Sequence, residues 1–169
     1  MTDVIFTVGN DMLADDGAGP LLAGLLEAEP APGWIVIDGG ASPENHIHQV
    51  RAQCPDRVLI VDAADMQLPP GTVRLLDEDC VAEHFLLTTH AIPLNFLISS
   101  LKETVPEIAF LGIQPKSTLF YGEMTPAVRQ GVETVHHNLV HGVGIAAYGR
   151  IGEDIPLPPS PTTGDDVRR

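Results

Sequence analysis

Three short apolar runs near the start of the chain constrain its fold more than any other feature. They occupy residues 4–8, 34–37 and 57–61, and none of them alternates with polar residues. Such continuous runs are typical of strands buried on both faces of a sheet. Segments of helical character separate them, at residues 21–26 and 44–53. The pattern predicts a three-layer α/β/α sandwich around a mostly parallel, twisted, five-stranded sheet.

The second half of the chain supplies the rest of this sheet. The turn Pro69-Pro70-Gly71 follows the third strand too soon for a crossover helix, so a fourth strand at 72–76 is expected to be antiparallel and at an edge. A fifth strand is predicted at 108–113. Helices are predicted at residues 81–87, 93–104 and 125–140, the last with Thr125 as N-cap and Pro126 in its first turn.

Charge and length limit the partners and the number of domains. The 169 residues include 23 Asp and Glu against 9 Lys and Arg, a formal charge of −14. An acidic surface repels phosphate, which argues against nucleic acids and anionic membranes as partners. The length suits one α/β domain, predicted over residues 1–148. Residues 149–169 are rich in proline and are expected to form a disordered tail.

The number of cysteines and the length of the apolar runs indicate the cellular compartment. Cys54 and Cys80 are too few for a disulfide framework or a four-thiolate zinc site. No basic, apolar leader is recognisable at the N-terminus, and no apolar run reaches the roughly 18 residues that a membrane span requires. A cytoplasmic protein is therefore expected.

Carboxylates follow all three early strands. Asp15 and Asp16 come after the first strand, Asp38 ends the second, and Asp62 ends the third, with Asp65 nearby. The carboxyl ends of parallel strands meet at one edge of a sheet, where ligands bind. Helix capping explains any one of these residues alone. Several carboxylates at one edge repel each other unless a cation or a proton lies between them.

A nucleotide is a weaker candidate for this edge. Gly17-x-Gly19 opens a helix after a strand, but the third glycine of a dinucleotide motif is replaced by Leu22. Asp15 and Asp16 would repel a pyrophosphate at that position. A mononucleotide- or flavin-binding module on a similar sheet remains a weaker hypothesis. A cation is the ligand that better fits the carboxylates of this edge.

Histidines decide which cation the edge would prefer, because an imidazole beside carboxylates shifts preference toward nickel, zinc or manganese. His90 lies in an apolar stretch with two threonines before it, which fits either a buried core residue, the more common case, or a fixed ligand. The pairs Cys80/His84 and His137/His141 have i, i+4 spacing. A solvated helix face explains His137/His141 better than a metal site, and a buried Cys beside a surface His explains Cys80/His84 better. Serine and cysteine nucleophile motifs are lacking. Two Asp and one His around a metal with open positions form the best-supported unit.

Several motifs in one register resemble the hydrogenase maturation proteases. The segment 9–20 resembles the N-terminal signature of that family, and family-like stretches follow at 36–40, 59–66, 88–90 and 111–115. The resemblance covers roughly residues 3–140 and is strongest to the type that processes hydrogenase 3. Residues that support this type lie at 15–23, 41–45, 88–90 and 93–95.

The resemblance implies an endopeptidase that removes the C-terminal extension of the large-subunit precursor of nickel–iron hydrogenases. It implies a metal site of Asp16, Asp62 and His90, in which nickel belongs to the precursor and is recognised before cleavage. Asp16 and Asp62 are expected to take part in catalysis, and Asp38 to support the ligands or contact substrate. The precursor is the expected partner of a monomeric enzyme. A non-enzymatic nickel-binding chaperone or sensor is the alternative.

Overall fold

A five-stranded sheet organises the chain in the computed structural model, which describes residues 2–77 and 94–151. The strands are β1 (Asp3–Thr7), β2 (Trp34–Asp38), β3 (Arg57–Ala63), β4 (Val73–Leu76) and β5 (Glu107–Ile113). The helices are α1 (Ala18–Ala28), α2 (Ile47–Ala52), α3 (Leu94–Lys102) and α4 (Pro126–Val140), with short 3-10 helices at Ala14–Gly17, Pro43–His46 and Ile145–Ala147.

The strand order is β2-β1-β3-β5-β4, and every neighbouring pair is parallel except β4 with β5. This confirms the predicted mostly parallel sheet and the antiparallel edge strand. Thr7 is in register with Asp38 on β2 and with Val61 on β3, which in turn pairs with Leu111 on β5. β3 and β5 continue two residues beyond this level, so the four parallel strands end close to one another, at what we call the carboxyl edge of the sheet.

Two apolar clusters lie on opposite faces of the sheet and confirm the three layers. One combines Val4 and Phe6 of β1 with residues of α2 and α3. The other combines Ile5 of β1 with Leu22 of α1 and Val132 of α4. Alternate residues of one strand thus serve both cores, as strands covered by helices on each face require.

β2 departs from the expected burial of the first three strands on both faces. It pairs only with β1 within the described residues, and the side chain of Ile35 is 39% exposed. The run Trp34–Ile37 is as apolar as the other two, but an edge position leaves part of it in contact with solvent. The prediction of burial on both faces is wrong for this strand and agrees with the structure for β1 and β3.

The chain after α4 returns to the sheet beside β4. The N–H of Leu75 donates to the carbonyl of Gly149 at 2.9 Å, and the N–H of Ile151 donates to the carbonyl of Leu75 at 3.2 Å. The packed domain therefore reaches Ile151, three positions past the predicted boundary at 148. The rest of the predicted tail, at 152–169, and the helix predicted at 81–87 lie outside the described residues.

No helix in residues 2–77 and 94–151 has the length and apolar character needed to cross a membrane.

Candidate active site at the carboxyl edge of the sheet

Asp16 lies in the 3-10 helix Ala14–Gly17, which follows β1 after the loop 8–13, and is only 5% exposed. The backbone N–H of Asn10 donates to its Oδ2 at 3.0 Å. A Cβ on Gly9 would lie 2.1 Å from the carbonyl oxygen of Asp16, so the turn packs directly against the end of β1. Gly9 also has a φ of +149°, which L residues rarely adopt. The glycine lets this turn fix the Asp16 backbone at the edge.

Asp62 is also a buried carboxylate at this edge, with an exposed fraction of 0% near the end of β3. The N–H of Val8, which follows β1, donates to the carbonyl of Val61 at 2.9 Å. Cα atoms of β3 also come within 8 Å of the 3-10 helix that carries Asp16. The structure thus brings the 3-10 helix of Asp16 and the end of β3, with Asp62, to the same edge. Two buried carboxylates in one region favour the binding of a cation or a proton.

Asp38 lies at the end of β2, at the same edge but in contact with solvent. Its Oδ1 accepts hydrogen bonds from the hydroxyl of the buried Thr7 at 3.1 Å and from the N–H of Gly40 at 3.0 Å. The second bond closes a turn of the Asx type. One carboxylate oxygen of Asp38 therefore fixes the loop after β2. Because that oxygen is engaged, Asp38 fits the role of a residue beside the metal site better than that of a ligand that binds with both oxygens.

His90 lies outside the described residues, as do Cys80 and His84. Within residues 2–77 and 94–151, no three or more His, Cys, Asp or Glu side chains are grouped so that they could hold a metal ion. The rings of His137 and His141 stack with centroids 4.1 Å apart in the last turn of α4 and its C-cap. The trio of Asp16, Asp62 and His90 therefore stays a prediction.

Asp15 supports the structure in a way that Asp16 does not. Sequence reasoning did not find this difference between the two residues. Its buried carboxylate accepts four hydrogen bonds, from the N–H groups of Lys116, Ser117 and Thr125 and from the Thr125 hydroxyl. Burial raises the pKa of Asp15, but the hydrogen bonds from Ser117, Thr125 and Lys116 outweigh it, so the pKa lies below its ordinary value. Asp15 ties the loop after β5 to the loop after β1.

Gln114 is a second residue whose role sequence reasoning missed. It is 6% exposed, directly after β5, and its Oε1 accepts from the N–H groups of Met66 at 2.7 Å and Leu68 at 3.3 Å. Its amide donates to Asp65 at 3.2 Å and to the carbonyl of Pro115 at 3.0 Å. Gln114 thus holds the loop that follows Asp62. Its signal in the sequence is a single amide directly after an apolar strand.

Asp65, expected among the carboxylates of the edge, is engaged in this loop. Its Oδ1 accepts from the Gln114 amide and from the N–H of Gln67 at 3.1 Å. The contacts assign it to the support of the loop after β3.

Comparisons with known proteins identify what this arrangement is similar to. A family model described as hydrogenase maturation protease matches residues 21–141, a range that contains Asp38 and Asp62 and begins after Asp16. The hydrogenase 3 maturation protease of Escherichia coli strain K12 is 50% identical over 151 residues, covering 89% of this chain and 97% of that protein. A hydrogenase expression/formation protein of Cupriavidus necator is 32% identical over 77% of this chain and 70% of its own length.

Solved structures extend the comparison to the fold. The solution structure of an endopeptidase, HycI from Escherichia coli, superposes with a TM-score of 0.85 at 49% identity, covering 92% of this chain and 99% of the other. The crystal structure of a nickel–iron hydrogenase maturation protease from Thermococcus kodakarensis gives 0.75 at 28% identity, over 84% of this chain and 92% of the other.

Proposed function

The chain belongs to the hydrogenase maturation proteases, and from this premise we propose that it removes the C-terminal extension of a nickel-containing hydrogenase large-subunit precursor after nickel insertion. That it is an endopeptidase of hydrogenase maturation follows from its relatives. The observation that carries the finer proposal is the pair of buried carboxylates, Asp16 and Asp62, at the carboxyl edge of a sheet with this likeness.

Nickel is the feature of the precursor that we propose the enzyme recognises. The ion belongs to the substrate, and Asp16, Asp62 and His90 would each offer one ligand to it. Two carboxylates and an imidazole form a donor set that divalent nickel accepts. Three ligands leave coordination positions for groups of the precursor itself. A precursor without nickel lacks the shared ion, so cleavage would follow only after metal insertion.

Positioning of these carboxylates supports the proposal. A loop that must meet a metal held by another protein needs a fixed backbone, because errors of about 1 Å weaken coordination and catalysis strongly. Asp16 is fixed by Asn10 and by its packing on Gly9. Asp62 lies within the central strand β3, where it is paired with Gly112 of β5.

The same carboxylates are proposed to take part in hydrolysis. A carboxylate close to the scissile bond serves as a general base or orients the attacking water. Asp38, in contact with solvent at the same edge, is proposed to contact the extension or to support the ligands. We further propose that the enzyme acts as a monomer in the cytoplasm, a reducing compartment that suits the exposed free thiol of Cys54.

Variants of the proposed ligands test this function. Asp16→Asn, Asp62→Asn and His90→Ala should each keep the fold and lose at least a hundredfold in the rate at which nickel-loaded precursor is shortened. Glu133→Gln, an exposed carboxylate on α4, is the matched control and should cleave at the wild-type rate. Full processing by all three variants would contradict the proposal. Tight nickel binding by wild-type protein with no cleavage would favour the chaperone or sensor.

A further inference from the structure

An exposed apolar patch lies beside the carboxylates of the candidate site. Four of the seven large hydrophobic side chains that are exposed in the described part of the chain cluster here: Met12 at 46%, Leu119 at 72%, Phe120 at 61% and Tyr121 at 76% exposed. Isolated exposed hydrophobic residues are ordinary, but a cluster of large ones marks a surface for interaction. We call these four residues the apolar patch.

Hydrogen bonds connect the apolar patch to Asp16. The N–H of Tyr121 donates to the carbonyl of Met12 at 2.6 Å, which joins the two segments of the patch. The N–H of Met12 donates to Oδ1 of Asn10 at 3.0 Å, and the N–H of Asn10 donates to Oδ2 of Asp16 at 3.0 Å. The patch is therefore continuous with the carboxyl edge, at the side where Asp16 lies.

The loop that presents the patch is fixed at both ends. Asp15 accepts hydrogen bonds from Lys116 and Ser117 before the patch and from Thr125 after it. The N–H of Gly122 donates to the carbonyl of Leu119 at 2.9 Å, which closes a tight turn within it. A loop constrained in this way loses little entropy when a partner binds, which favours affinity.

Backbone strain places an aromatic side chain in solvent. Tyr121 has a φ of +56°, in the left-handed region that glycine adopts most easily, although Gly122 is its neighbour. Its ring packs edge-on against Phe120, with centroids 4.2 Å apart. The fold thus supports an unfavourable backbone conformation for a side chain that contributes nothing to the core. Strain of this kind is concentrated at sites of function.

We propose that the apolar patch docks the hydrogenase large-subunit precursor through apolar side chains next to the nickel-bearing region of that subunit. The proposal rests on the function proposed above and names a second contact for the same substrate. Coordination of nickel distinguishes a precursor that holds the metal from one that does not. It does little to distinguish the large subunit from other proteins that bind nickel. A surface of Leu, Phe and Tyr that adjoins the ligands adds affinity and specificity, as aromatic anchors do in protein interfaces. It also adds attraction that does not depend on the negative charge of the enzyme.

Two variants distinguish an effect on substrate docking from an effect on folding. Leu119→Ser combined with Phe120→Ser removes apolar surface that is already exposed, so folding should be unaffected. Tyr121→Gly removes the ring and the strain together, so the melting temperature should stay equal or rise. Val143→Ser, an exposed apolar residue just beyond the C-terminus of α4, is the control. The 15 residues of α4 place it about 22 Å from the Thr125 end.

Steady-state cleavage and direct binding of nickel-loaded precursor are then measured. The double variant and Tyr121→Gly should each raise KM and the dissociation constant about tenfold or more, with kcat within about twofold of wild type and the control unchanged. Wild-type KM in both variants would overturn the proposal. So would a wild-type dimer, seen by light scattering, that the same substitutions convert to monomers. Patch-dependent binding of a precursor that wild-type enzyme never cleaves would contradict the proposed function while supporting the docking surface.

Discussion

The carboxylate of Asp15 accepts two hydrogen bonds from Thr125, one from its backbone N–H to Oδ1 at 2.6 Å and one from its hydroxyl to Oδ2 at 2.7 Å. These residues are 110 positions apart in sequence. Thr125 occupies the N-cap position of α4, as the sequence predicts, yet its hydroxyl makes no capping bond to the helix. The hydroxyl instead joins the start of α4 to the loop that carries Asp16.

Loss of the Asp15 carboxylate should therefore destabilise the domain. Asp15→Ala leaves four donors in a partly buried region without their acceptor. Hydrogen bonds to charged groups contribute about 1.5–3 kcal/mol each without being additive. We expect the free energy of unfolding to fall by about 3 kcal/mol in urea titrations. Asp11→Ala, at an exposed carboxylate of the same loop, should change it by less than about 0.5 kcal/mol. Equal effects of the two substitutions would contradict the structural role of Asp15.

The same carboxylate predicts how stability depends on pH. Hydrogen bonding holds the pKa of Asp15 below its ordinary value, so the folded state favours the charged form. Its contribution is complete above the unfolded pKa of about 3.9 and is lost as pH falls through the lower folded pKa. The difference in unfolding free energy between wild type and Asp15→Asn should therefore be constant from pH 7 to about pH 5 and shrink at lower pH. A difference that grows on acidification would contradict this direction.

Two glycines of α1 predict opposite effects of the same substitution. A Cβ on Gly19 would lie 2.2 Å from the carbonyl oxygen of Val8, whereas a Cβ on Gly24 meets nothing within 4 Å. Gly19→Ala should lower the unfolding free energy by about 2 kcal/mol or more and disturb the loop of Asp16. Gly24→Ala should raise it by about 0.5–1 kcal/mol, because alanine favours the helix. Thermal or chemical unfolding measures both, and a harmless Gly19→Ala would contradict the described packing.

Gln114 should matter for the site as well as for stability. Gln114→Ala removes the acceptor for the N–H groups of Met66 and Leu68 and a donor to Asp65. We expect a loss of about 2 kcal/mol in unfolding free energy. We also expect a several-fold lower cleavage rate, since the loop after Asp62 is released. Gln130→Ala, at an exposed position of α4, is the control, and wild-type stability of Gln114→Ala would contradict the role assigned to this amide.

Local signals in the sequence were sufficient for most of the fold. The short turn at Pro69-Pro70-Gly71 identified β4 as an antiparallel edge strand, because it leaves no room for a crossover helix. The position of β2 at the opposite edge could not be read in the same way. The run Trp34–Ile37 is as apolar as the central strands, and only the pairing of strands distant in sequence decides which of them is uncovered.

The position of the candidate site in the fold was predictable from the sequence, but the roles of its residues were predictable only in part. Alignment of the parallel strands brings Asp16, Asp38 and Asp62 to one edge, as the strand ends in the sequence indicate. The different roles of the neighbours Asp15 and Asp16 depend on the loop after β5, about one hundred residues away. No local pattern reports such a contact. The role of Gln114 was missed for the same reason, since its hydrogen-bond partners follow another strand.

Cleavage of matched precursors by the wild-type enzyme tests the recognition of nickel most directly. Large-subunit precursor is prepared with and without nickel, incubated with the enzyme, and the loss of the C-terminal extension is followed by mass spectrometry. The proposal predicts complete shortening of the nickel-loaded precursor and none of the nickel-free form over the same time. Cleavage of both forms at equal rates would contradict it.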